Sequence, residues 1–175
     1  MTPEPPPEHQ HDRSDADLLA AYVRGDVRAF DALYHRHKDF AVRVSRRMAR
    51  DESEAMDVFQ EAFAKLVEHA PRLRLTARVS TWLYPVIRNA IAERRRRERT
   101  LRLAPSDDAA VAAPVPTSTD VADLSVRLAR LPDDQREVVL LRIVEELSVQ
   151  EVALALDIPE GTVKSRLHHA LKALG

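Results

Sequence analysis

The stretch Ser148 to Leu171, SVQEVALALDIPEGTVKSRLHHAL, admits few folds, because two helical apolar stripes lie close together on either side of a short break. Ser148 with Glu151 three residues later has the spacing of a capping box, in which a hydroxyl and a carboxylate satisfy backbone donors that the first turn of a helix leaves unpaired. Val149, Val152, Ala153 and Leu156 follow at i, i+3, i+4 and i+7 as one apolar stripe. Asp157, Ile158 and Pro159 interrupt it, and proline is tolerated in the first turn of the next helix, where its missing N–H would have no partner. In that second helix Val163, Leu167, Ala170, Leu171 and Leu174 gather on the side that a core would claim. Thr162, Ser165, His169 and Lys172 point the opposite way, with Lys164 and Arg166 on the flanks. The spacing predicts a helix-turn-helix. Its second helix suits a major groove, since the small polar centre can touch base edges while the flanking cations meet phosphates. An ordinary helical hairpin with a solvated face fits the same pattern.

Composition removes most enzymatic alternatives. The chain has no cysteine, which excludes disulfides, thiolate zinc sites and cysteine nucleophiles, and its 3 glycines leave little material for a phosphate-cradling loop. His168 and His169 are adjacent, so they cannot share a helix face as an i, i+4 metal pair does. A non-catalytic protein without metal or cofactor is expected. No apolar run approaches the roughly 18 residues of a membrane span and no signal pattern opens the chain, so no membrane insertion and a cytoplasmic location are expected.

The formal net charge of −1 hides a sharp division. Residues 72–103 carry 10 Lys/Arg against 2 Asp/Glu, whereas residues 1–71 carry 10 against 14 and residues 104–137 carry 3 against 7. A basic segment inside an acidic chain points to a polyanion meeting one surface, with the rest left for proteins.

Taken in order, Met1–Arg13 is proline-rich, polar and aperiodic, and is expected to be a disordered tail. Ser14 and Asp17 can cap a helix to Val23, closed by Gly25. A second helix is predicted from Val27 to Met48 on the stripe Phe30, Leu33, Tyr34, His37, Ala41, Val44 and Met48, with His37 hydrogen-bonded at the core edge. Asp51 and Glu54 repeat the capping-box spacing and open a helix to His69. Ala55, Val58, Phe59, Ala62, Phe63 and Leu66 form its buried side, and Asp57, Gln60, Glu61 and Lys65 line another. That polar patch fits a docking surface or a solvated face equally. A loop with Arg72, Arg74 and Arg78 leads to a helix capped by Ser80, with Trp82, Leu83, Val86, Ala90 and Ile91 inward and Pro85 as a kink. Its far end carries Arg94, Arg95, Arg96, Arg97 and Arg99, a favourable place for cations. Residues 101–120 read as a flexible linker. Val121, Leu124, Leu128 and Leu131 restart helical spacing. A further helix, capped by Asp133 or Asp134 and carrying Val138, Val139, Leu141 and Ile143, leads into the helix-turn-helix. The fold class expected is all-α: two small helical domains, 14–100 and 121–175, joined by a flexible linker.

Four stretches in this order resemble a known family: FDALYHRH from Phe30, DVFQEAF over Asp57 to Phe63, STWLYPVIRNAIAERRRR from Ser80, and LPDDQREVVLLR followed by LSVQEVALALDIPEGTVKSRL. The chain resembles the extracytoplasmic-function (ECF) sigma factors of bacterial RNA polymerase, which keep only regions 2 and 4. The resemblance implies that the DxxQExF helix docks on the β′ clamp helices of core RNA polymerase through Asp57, Gln60, Glu61 and Phe63. It implies that the following loop and helix recognise and open the −10 element of promoter DNA through Arg72, Arg74, Arg78, Trp82, Arg88, Asn89, Arg94, Arg95, Arg96 and Arg97. Region 4 would meet the β flap and read the −35 element through Thr162, Lys164, Ser165, Arg166 and His169. An anti-sigma factor is a further partner implied by the family. Three features depart from its pattern. The loop RLRLTARVS lacks the usual glycine and aromatic. His169 stands where a cation is common. The chain stops at Gly175, which leaves little room for a C-terminal extension.

Two other classes compete. A dimeric helix-turn-helix regulator shares the S..EVA pattern, but gives no reason for DVFQEAF or the tryptophan helix, and it predicts half-sites one helical turn apart. A protein-interaction module would have no use for the arginine run.

Overall fold

The computed structural model describes residues 13–101 and 126–175, which belong to two compact units divided near residues 109 and 110. The predicted tail before Arg13, the predicted linker beyond Leu101, and Val121 and Leu124 lie outside the described residues. All regular structure among the described residues is helical.

The first unit holds α1 (Asp15–Val23), α2 (Val27–Met48), α3 (Glu52–His69) and α4 (Val79–Leu101). The central element is α2, which packs against the other three. Ser14 caps α1 through the amide of Asp17, and Gly25 adopts φ +103°, a left-handed conformation that lets the chain turn directly into α2. The stripe of α2 is buried at Ala29, Ala32, Leu33, Phe40, Ala41 and Val44, and His37 is only 4% exposed. Asp51 caps α3 by accepting from the amide of Glu54. The Glu54 carboxylate does not return to Asp51; it accepts from the amide of Arg50 at 2.8 Å, so the box closes one residue early.

Sequence spacing predicts Ser80 as the cap of α4, but the helix starts at Val79 and Ser80 is buried in its first turn. The cap is Asp15, 64 residues away, whose Oδ2 accepts from the amide of Val79 at 2.7 Å. The same carboxylate lies 2.7 Å from His37 Nε2 and 2.7 Å from Arg36 Nη1. Burial pushes the Asp15 carboxyl up, but the hydrogen bond and charge of His37, the Val79 amide and Arg36 outweigh it and hold its pKa at about 2. The inward stripe of α4 also differs from expectation. Leu83, Tyr84, Ile87, Ala90 and Ile91 are buried, while Trp82 and Val86 are half-buried. The segment TWLYPVI is apolar on every side, so periodicity cannot select a face, and packing on α2 and α3 does. Pro85 removes the bond to the carbonyl of Thr81, yet α4 continues to Leu101.

In the second unit a helical segment at 126–130 ends at Leu131, α5 (Asp133–Val139) runs into one π-helical turn (Leu140–Val144), and α6 (Val149–Leu156) and α7 (Glu160–Leu174) form the helix-turn-helix. Neither Asp133 nor Asp134 stands at the N-cap, which Pro132 occupies without a side-chain bond, but Asp134 accepts from the first-turn amide of Gln135 at 2.9 Å. Arg136 instead closes the preceding segment, donating to the carbonyls of Leu128, Ala129 and Leu131 at 2.7–2.8 Å. The capping box at Ser148 is complete: its hydroxyl accepts from the amide of Glu151 at 3.1 Å, and its own amide donates to Glu151 at 2.8 Å. Asp157 terminates α6 at φ 54°, a region that aspartate tolerates better than most residues. Val138, Val139, Leu141, Val152, Leu156, Val163 and Ala170 make the core. Ile143 and Leu171, expected inside, are 54% and 49% exposed. The π turn widens the helical repeat and swings Ile143 outward.

The depressed pKa of Asp15 contributes stability that is complete above the unfolded value of 3.8 and is lost as pH falls through about 2. Its size is about 2 kcal/mol. Asp15→Asn should therefore flatten the acid limb of urea unfolding followed by Trp82, the single tryptophan. Asp15→Ala should lower stability at pH 7 by about 3–5 kcal/mol, because it strands His37 and the α4 terminus. An unchanged acid limb in Asp15→Asn would show that another group sets it. In the second unit, Ser148→Ala should cost about 1 kcal/mol of local helix stability. Amide hydrogen exchange at Glu151 should then quicken by about fivefold.

Candidate docking and nucleic-acid surfaces

On α3 the two faces separate cleanly. Asp57 and Gln60 are exposed, whereas Phe63 is 6% exposed and stacks edge-on against Tyr34 and Phe59 at ring distances of 5.0 and 5.2 Å. Phe63, expected at the polymerase contact, is therefore a core residue that fixes the helix beneath that face. Glu61 is half-buried and already engaged, with Lys65 Nζ 2.7 Å from Oε1 and Arg94 Nη2 3.0 Å from Oε2. Sequence reading put Glu61 and Arg94 on surfaces for different partners, and the structure pairs them with each other.

The loop between α3 and α4 presents Arg72, Arg74 and Arg78 to solvent. Trp82, in the first turn of α4, is half-buried with its ring 5.9 Å from that of His69, so it is neither fully core nor fully free. Arg88 is half-buried and Asn89 exposed on the same helix. The arginine run is divided by its partners. Arg95 donates from Nη2 to the carbonyl of Met48 at 2.7 Å and closes the end of α2. Arg96 and Arg97 pair with Glu93 at 2.8 and 3.0 Å. Each remains 74% exposed, a geometry worth little in water and easily exchanged. The Arg97 hydrogen bond holds the Glu93 carboxyl below its ordinary range.

On α7, Val163 and Ala170 are fully buried while Lys164, Ser165 and His169 are exposed and Thr162 is half-buried. Arg166, expected at DNA, has its Nε 3.1 Å from Asp134 and braces α7 against α5. Lys164 lies 3.8 Å from Glu160, a loose surface pair. The rings of His168 and His169 meet edge-on at 5.6 Å, with both side chains outward. The second unit thus offers a polar helix face on a capped, packed frame, as a duplex-reading helix requires.

Sequence reading missed two groups with large structural effect. Asp15 carries no signal in the sequence, since its partners lie 21, 22 and 64 residues on. Lys65 was legible as one of four polar residues, without its hold on Glu61. Among the described residues no group of three His, Cys, Asp or Glu side chains is placed to hold a metal, and no helix is long and apolar enough to cross a membrane.

Comparisons with known proteins agree across both units. Residues 33–100 match the family model Sigma-70 region 2, and residues 122–174 match Sigma-70, region 4. The ECF RNA polymerase sigma factor SigM of Mycobacterium tuberculosis is 38% identical over 162 residues, covering 92% of this chain and 83% of that protein. SigW of Bacillus subtilis, another ECF RNA polymerase sigma factor, is 29% identical, covering 86% and 89%. Among solved structures, CnrH in complex with the cytosolic domain of CnrY shares the fold with a TM-score of 0.67 at 23% identity, covering 93% of this chain and 95% of that one. The sigma factor RpoE of Bartonella quintana, in complex with the anti-sigma factor NepR, does so with a TM-score of 0.63 at 21% identity, covering 83% and 93%. With both regions matched in order and a relative of this identity spanned along most of its length, the chain belongs to the ECF RNA polymerase sigma factors.

Proposed function

We propose that the chain works as a dissociable specificity subunit in which α3 holds core RNA polymerase and α4 and α7 read two promoter elements. The observation that carries this reading is the polarity of α7. Its back is sealed at Val163 and Ala170, and its front leaves Lys164, Ser165 and His169 to water with Thr162 half-buried beside them. That arrangement suits −35 duplex DNA, with Ser165 and His169 toward base edges and Lys164 toward a phosphate. In the first unit, Asp57 and Gln60 are the docking residues for the β′ clamp helices. Arg72, Arg74, Arg78, Arg88, Asn89, Arg96 and Arg97 attract the −10 strand, while half-exposed Trp82 offers a ring against an unstacked base. Capturing such a base costs a few kcal/mol, which the arginines and the polymerase offset.

The chain carries no catalytic chemistry of its own in this reading. Polymerase supplies it, in the cytoplasm, where the β flap receives the second unit. An anti-sigma factor is a further partner in this reading, of the kind that RpoE of Bartonella quintana meets in NepR. The net charge of −1 keeps DNA binding by the free chain weak, because acidic surfaces oppose the basic helix at long range.

Run-off transcription with purified core polymerase on a promoter library tests class and specificity together. Core enzyme with the chain should select a small set of promoters, while the free chain binds them weakly. Tight, sequence-specific binding by the free chain alone would count against the reading. His169→Ala should alter −35 preference and leave core affinity unchanged. Asp57→Ala and Gln60→Ala should each weaken core binding by about tenfold, or 1.4 kcal/mol. Loss of core binding in His169→Ala would mean that the α7 face has been assigned to the wrong partner.

A further inference from the structure

Glu61 joins the two surfaces of the first unit in a way that neither role explains. Its two oxygens serve different cations, Oε1 the Lys65 ammonium at 2.7 Å and Oε2 the Arg94 guanidinium at 3.0 Å. Among Arg94 to Arg97, only Arg94 has its carboxylate partner on another helix. Arg95 serves the Met48 carbonyl, and Arg96 and Arg97 use Glu93 of α4 itself. Arg94 is also held by half of its fork. Nη2 is paired, but Nη1 is buried and has no hydrogen-bond partner among the described residues. A guanidinium satisfied at one nitrogen and idle at the other is poorly settled, since an unmet buried donor costs more than a made bond returns. A phosphate or carboxylate approached side-on would use both nitrogens.

We propose that Glu61 is a positioning residue for Arg94: its carboxylate parks the guanidinium against α3 in the free chain and yields it to a DNA phosphate when the promoter strand arrives. The inference rests on the reading of α4 as the helix that faces −10 DNA. The second cation makes the exchange possible. When Arg94 leaves, Lys65 stays on Glu61, so no bare half-buried carboxylate is left behind. The Arg94 side chain is 30% exposed, close enough to the surface for a polyanion to compete for it. The device also lowers DNA affinity before docking, because one cation of the basic segment is neutralised inside the protein.

The test uses the full chain with a fluorescein-labelled, mixed-sequence single-stranded DNA 20-mer, followed by anisotropy at several salt concentrations. A phosphate contact needs no promoter sequence. Glu61→Gln keeps the shape of a half-exposed side chain and removes the charge, and Trp82 fluorescence checks that the unit stays folded. The variant should bind about two- to fivefold tighter at low salt, the range of a partly exposed ion pair. Its log K against log salt should steepen by about 0.7, the signature of one added phosphate contact on a single strand. Arg94→Ala should bind more weakly than wild type once polymerase is present, and Glu61→Gln with Arg94→Ala should match Arg94→Ala alone. The Glu61→Gln comparison is made on the free chain, without core polymerase, so that a part of Glu61 in docking does not enter it. A gain that survives in the double variant would belong to Lys65 and overturn the proposal. So would a Glu61→Gln chain with wild-type affinity and slope. If Arg94→Ala leaves holoenzyme binding to promoter DNA untouched, the assignment of Arg94 to DNA fails instead.

Discussion

The buried carboxylate of Asp15 is where three of the four helices of the first unit are tied together. It belongs to α1, touches His37 and Arg36 of α2, and caps the amide of Val79 at the start of α4. Burying a carboxylate costs several kcal/mol unless its lone pairs are used, and here both oxygens are. The negative charge also sits at the positive end of the α4 dipole. The origin of α4, and with it the arginine loop before it and Trp82 in its first turn, is set by a residue distant in sequence. A shift of that terminus would move every side chain assigned to the −10 strand.

The same logic, a charged side chain closing a helix end in another element, recurs with opposite sign. Arg95 closes α2 at Met48, Arg136 takes three carbonyls at the end of the 126–130 segment, and Arg127 donates to the carbonyl of Leu174. Cations are favourable there because the last carbonyls of a helix lack partners. A chain with few glycines and no disulfides thus fixes its helix boundaries with arginine and aspartate. Some of the positive charge that suggests nucleic acid is already in structural use.

This explains which parts of the molecule were legible in the sequence. Where the partner is local, the reading was sound: the Ser148–Glu151 box, the Ser14 cap, the bounds of α2 and the buried side of α3 all follow from spacing within four residues. Where the partner is distant, it failed. Ser80 had the chemistry of a cap, but Asp15 took the position. At α5 the difference is local: Pro132 takes the N-cap position, and Asp134 meets the amide of Gln135 from within the first turn. Trp82 and Val86 were placed inward because TWLYPVI offers no polar side to orient it. Ile143 followed an α-helical period that the π turn breaks. In the candidate site the residue types were readable and their pairing was not. Asp57, Gln60, Lys164, Ser165 and His169 stand outward, Phe63 is buried as its place on the apolar side of α3 predicts, and Arg95 and Arg166 also serve a helix end and a brace to α5.

Those internal pairings bear on why such a protein would depend on polymerase. Residues 72–103 carry an excess of eight positive charges by composition, 10 Lys/Arg against 2 Asp/Glu. Of the four consecutive arginines, one closes α2, one lies against Glu61 and two share Glu93. The field that a distant DNA molecule meets is weaker than the count suggests, and salt screens it within about 8 Å at physiological ionic strength. The exposed pairs to Glu93 are cheap to open once a phosphate is held nearby, because their energy in water is small. Affinity for DNA then depends on what brings the strand to the helix. A docked polymerase raises the local concentration of promoter, as a second linked binding event does. Specificity can rest on α7 and the loop before α4, without a free chain that scavenges DNA at large.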